Sequence, residues 1–72
     1  MEFDFSKLKG RIVEHFGTFA RFAEAMGLSK PQLHNRLTNS TDFRPEEVIR
    51  AVELLDIHPS DIHIYFFTPK VR

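Results

Sequence analysis

Seventy-two residues, 42% of them hydrophobic and with ten Lys and Arg balancing ten Asp and Glu, fit one small domain around a single core. The lack of cysteine excludes a disulfide framework, a thiolate metal site and a cysteine nucleophile. No apolar run approaches the ~18 residues of a membrane span, and Met1-Glu2-Phe3-Asp4-Phe5 lacks the basic-then-apolar order of a signal peptide, so a cytoplasmic protein is expected.

In chain order, a first helix is predicted over Ser6–Phe16, with Leu8, Ile12, Val13 and Phe16 on one stripe and Gly17 as its stop. Thr18 caps a second helix, on which Phe19, Phe22, Ala23 and Met26 follow helical spacing until Gly27. Ser29-Lys30-Pro31-Gln32 has the form of a capping box with proline in the first turn, and opens a third helix to about Thr38 with Leu33 and Leu37 inward. After a polar loop at residues 39–42, Pro45 starts a fourth helix. Glu46 and Glu47 sit at the positive end of its dipole, Val48, Ile49, Val52 and Leu55 form its apolar stripe, and Glu46 stands four residues before Arg50 as a surface pair. His58-Pro59 begins a short fifth helix with Ile62, Tyr65 and Phe66 inward, and the end from Phe67 is read as extended. The fold class expected is all-α, with five helices in one domain spanning residues 1–72.

Thr18 to Leu37 is the informative stretch. Two short helices joined by a turn match a helix-turn-helix unit, here about residues 18–38. Where such helices cross steeply a small side chain is needed, and Ala23 supplies it. Gly27 suits a positive φ at the turn, while Leu28 and Leu33 anchor the turn and the following helix.

With Phe-Ala-x-x-Met-Gly-Leu-Ser at Phe22–Ser29, Leu-Leu-x-Ile at Leu54–Ile57 and Tyr-Phe-Phe at Tyr65–Phe67, the chain resembles the small Cro/repressor-type helix-turn-helix regulators of temperate phages over nearly its whole length. The resemblance implies a compact λ-repressor-like DNA-binding domain whose third helix is the recognition helix. Such proteins act in the lysis–lysogeny switch of a bacterial host cell. Some are repressors that bind operator DNA as dimers; others are modulator-of-repression antirepressors that cover the DNA-binding domain of the phage's own CI-type repressor.

Carried onto this sequence, the contact positions are Ser29, Lys30, Gln32, His34 and Asn35, with Arg36 and Thr38 completing the helix. Gln and Asn suit adenine, and Lys suits guanine. Arg21, Arg36 and Arg44 are the expected phosphate partners. Two residues favour a protein partner instead. Phe19 stands where the motif often carries a phosphate-binding Gln, and Pro31 has no N–H to offer.

Charge is unevenly spread. Residues 18–44 hold Arg21, Lys30, Arg36 and Arg44 against Glu24 and Asp42, a net +2; residues 45–64 hold Arg50 against Glu46, Glu47, Glu53, Asp56 and Asp61, a net −4. A surplus of two supports only weak counterion release from DNA. The acidic face of Glu46, Glu47 and Glu53 suits a basic protein partner. His15, His34, His58 and His63 have no metal-ligand spacing, and no triad, carboxylate pair or phosphate loop is present, so neither cofactor nor catalysis is expected. His58 reads as a pre-proline cap. Phe3, Phe5, Tyr65, Phe66 and Phe67 are too many to bury together, and any exposed remainder marks a contact surface.

Overall fold

The computed structural model describes residues 2–71; Met1 and Arg72, the ends of the expected domain, lie outside the described residues. Its helices are α1 (Ser6–Phe16), α2 (Phe19–Met26), α3 (Lys30–Leu37), α4 (Pro45–Leu54) and α5 (Ile62–Phe66), the last preceded by a single 3-10 turn at Pro59–Asp61. The chain is all-α, with five α-helices among the described residues. Among the described residues one isolated antiparallel bridge, Phe3 to Pro69, pairs the two ends, which a Lys70–Glu2 ion pair also links.

Local chemistry sets each boundary. Gly17 adopts φ +78° and returns its N–H to Val13, and the Thr18 hydroxyl accepts the Arg21 N–H at 3.2 Å to begin α2. Gly27, at φ +74°, ends α2 in a Schellman arrangement, with Leu28 N–H on the Ala23 carbonyl and Gly27 N–H on that of Glu24. Ser29 and Gln32 form the reciprocal capping box at α3, at 2.8 and 3.2 Å. The His58 ring accepts the Ser60 N–H at 3.1 Å, the cap expected of it.

α2 is the central element, packed on α1, α3 and α4, while α5 packs on α1. Leu8, Ile12, Phe22, Ala51 and Leu55 are fully enclosed, joined by Met26, Leu33 and Phe66. Ala23 is buried on the central helix, where a larger side chain would collide with its neighbours. Three apolar residues assigned to inward stripes instead face water: Val13 at 49% exposure, Phe19 at 41% and Ile49 at 62%.

On α4 the cause is visible. Glu47, Ala51 and Leu55 form the i, i+4, i+8 row that turns inward, with Val48, Val52 and Leu54 half-buried beside it. Glu47 enters the interior because Arg36 waits there. The expected Glu46–Arg50 surface pair is not formed. Arg50 Nη1 donates to the Met26 carbonyl at 2.8 Å, at the electronegative end of α2. Arg11 does the same for the end of α4, reaching the carbonyls of Leu55 and Asp56 at 3.0 Å each.

Candidate functional site

α3 was expected to present its polar side chains to a partner, and the structure engages most of them locally. The Ser29 hydroxyl accepts the Gln32 N–H, and the Gln32 side-chain oxygen accepts the Ser29 N–H. Thr38 Oγ1 donates to the His34 carbonyl at 2.9 Å and lies 3.2 Å from Ser40 Oγ. Asn35 is half-buried, whereas Lys30 and His34 are exposed.

Arg36 departs furthest from expectation. It was expected among the phosphate and base contacts, and Glu47 was expected on an open acidic face. Both are buried, at 9% and 8% exposure, and they face each other. Arg36 Nε and Nη2 donate to the two Glu47 oxygens at 2.9 and 3.1 Å, and Nη1 donates to Thr41 Oγ1 at 2.9 Å. Glu47 Oε1 also accepts the Arg44 backbone N–H at 2.9 Å, closing the first turn of α4. The bidentate hydrogen bonds from Arg36 hold the Glu47 carboxyl below its ordinary range, against the opposing effect of burial, and raise the guanidinium in turn. This corrects the sequence expectation for both residues, because a planar fork met by a carboxylate inside a core is no longer available to a phosphate.

The pair redraws the charge map. One cation leaves the motif surface and one anion leaves α4, so the exposed side chains of residues 18–44 are Arg21, Lys30 and Arg44 against Glu24 and Asp42, a net +1. Arg21 and Arg44 remain exposed, as do Glu46 and Glu53.

Two concave features flank these elements. A groove of about 380 Å³ runs between α1, α2 and α3, with Phe19, Ala20, Leu33 and Leu37 lining it and Lys9, Lys30 and His34 around it. Phe19, 41% exposed, contributes a ring to its apolar wall. The second, about 420 Å³, lies among Phe3, Phe5, Phe43, Val48, Phe66 and Phe67 at the joined termini. Phe66 belongs to the core at 2% exposure, edge-on to Phe43 at 5.3 Å. Phe67 is half open at 50% and meets Phe3 edge-on at 5.7 Å. Asn39, at φ +66°, clamps this end by bonding both the N–H and the carbonyl of Phe3.

The outward face of α4 is mixed acidic and apolar. Glu46, Ile49 and Glu53 fall at i, i+3 and i+7, one row of the helix, and all three are exposed. The sequence reading supplied the two acids but assigned Ile49 to the core. Only the inward turn of Glu47 would have exposed that error, and it depends on a residue in another helix. Among the described residues no group of three His, Cys, Asp or Glu is placed to hold a metal ion, and no helix is long and apolar enough to cross a membrane.

Comparison with known proteins adds three findings. Residues 1–69 match the family described as "Protein of unknown function (DUF739)". Among solved structures, the chain is similar to the modulator of repression of the temperate bacteriophage TP901-1 from Lactococcus lactis. That match has 40% identity and a TM-score of 0.81, and it covers 100% of this chain and 97% of that one. No curated protein sequence matches the chain.

Proposed function

The chain belongs to the DUF739 family, and from that premise we propose that it is a phage regulator that modulates repression by binding a repressor protein rather than by acting as the repressor itself. The observation that carries this reading is the full-length, 40% identical likeness to a phage modulator of repression. The surface chemistry agrees with it. The motif segment exposes a net +1, too little to support more than weak counterion release, and its groove is lined by Phe19. The partner is the DNA-binding domain of a CI-type phage repressor, and occupation of that domain blocks its operator. Glu46 and Glu53 are the acidic residues available to it.

Co-expression with the repressor encoded beside this chain's gene, followed by size-exclusion chromatography, tests the reading. Co-elution, with loss of operator retardation by the repressor in a gel, is the expected result. Separate elution at micromolar concentration overturns it.

A second reading retains one favourable observation. Lys30 and His34 are exposed on α3, Arg21 and Arg44 are exposed as well, and the N-terminus of α3 is capped. Direct operator binding by a helix-turn-helix over residues 18–38, as a homodimer reading bases through Lys30, Gln32, His34 and Asn35, predicts a shift of the chain's own promoter region at low salt. Failure to shift it removes this reading.

A further inference from the structure

We infer that the outward face of α4, centred on Ile49, is the surface that grips the repressor, and that the surface it takes is the cationic DNA-reading face of that repressor; this rests on the antirepressor reading above. Ile49 sits mid-helix at 62% exposure, with no packing role that would explain an apolar β-branched residue there. Val52, half-buried one turn away, continues the apolar strip toward the core. A side chain in this state gains the full benefit of burial only when a second molecule covers it.

Its surroundings state what that molecule carries. Glu46 and Glu53 flank Ile49 on the same row, about 10 Å apart along the axis, and neither is in a salt bridge among the described residues. Arg44 at the N-cap of α4 is exposed, but it forms no salt bridge with either acid among the described residues. Arg36 is held by Glu47, and Arg50, the one cation of α4, is drawn back to the Met26 carbonyl. An apolar centre rimmed by unpaired carboxylates is complementary to a cationic surface with an apolar recess. Lys and Arg are concentrated in this way on the DNA-reading face of a helix-turn-helix repressor. The carboxylates then occupy positions that phosphates would otherwise take, and Ile49 supplies the buried anchor that phosphates lack.

Fluorescence anisotropy of the labelled full chain, titrated with the full-length repressor encoded beside it at low and high salt, tests the assignment. Ile49→Ala is expected to weaken binding about tenfold or more, as for a central anchor. The double variant Glu46→Lys, Glu53→Lys is expected to weaken binding and flatten its salt dependence. Val13→Ala, which trims an exposed apolar residue on α1, leaves affinity within about twofold. Circular dichroism verifies folding, and Ile49→Ala melts with the wild type because its side chain is already in water. If the wild type binds and both α4 variants bind equally well, the face is wrong while the antirepressor reading stands. A ternary complex with operator-bound repressor overturns the choice of partner surface. No binding by the wild type overturns the reading and the inference together.

Discussion

Helices α3 and α4 both carry proline in the first turn and both carry charge, yet they use their polar side chains in opposite ways. On α3, Arg36 is bound within the fold, and the exposed Ser29, Gln32 and Thr38 are hydrogen-bonded locally, which leaves Lys30 and His34 as its exposed polar side chains without a hydrogen bond to the fold. On α4, one acid goes inward and is fully satisfied, while Glu46, Glu53 and the apolar Ile49 remain outside. The difference teaches that polarity in a sequence is not availability. A hydrogen-bonded side chain contributes to stability, and the groups left for a partner are those that the fold does not engage.

The largest effect that would break this comparison comes from the Arg36–Glu47 pair. Arg36→Ala leaves a carboxylate enclosed without its guanidinium and is expected to cost about 3 kcal/mol, read as a lowered urea midpoint by circular dichroism. A neutral change would mean that Arg36 is free for other contacts. The same pair sets a pH dependence. Arg36 holds the folded Glu47 carboxyl below its ordinary value of 4.5, so in acid the unfolded chain binds the proton first. The contribution is therefore full above about pH 4.5 and is lost as pH falls through the lower folded value. Urea midpoints measured from pH 7 to pH 3 should fall for the wild type, and Glu47→Gln should flatten that part of the curve.

Smaller effects sharpen the contrast. Gly27→Ala forces a side chain into φ +74°, with Arg50 Nη1 3.6 Å from the new Cβ, and is expected to cost about 1–2 kcal/mol. Ser29→Ala removes one half of the α3 capping box at about 1 kcal/mol. A Gln32→Ala variant is expected to behave in the same way, losing stability in urea without changing any discrimination between operator sequences. At the lower limit, Ile49→Ala should leave stability within about 0.5 kcal/mol while weakening partner binding, so that stability and affinity separate at one residue.

Much of the molecule was legible in advance where its cause is local. Thr18, Gly27, Ser29-Lys30-Pro31-Gln32 and His58-Pro59 each specify a helix end through bonds within a few residues, and those ends stand where they were expected. The candidate site was less legible. Val13, Phe19 and Ile49 obey helical spacing, but spacing fixes only which residues share a face, not the roll of that face against its neighbours. Likewise Arg36 and Glu47 are eleven positions apart on different helices, and nothing in the sequence marks them as partners.

By itself, then, the sequence determined the helical elements, most of their ends and the uneven distribution of a balanced charge, because turn chemistry, capping and periodicity act over a few residues. The fifth helix expected from His58-Pro59 is instead a 3-10 turn at Pro59–Asp61 followed by α5 from Ile62. Tertiary structure alone decided which charges remain. One cation and one anion are buried together, and α4 is oriented with Glu47 toward the core and Ile49 toward water. The physical reason is that a charge is costly to bury alone and tolerable when bidentately paired, so the orientation of α4 answers to a residue on α3.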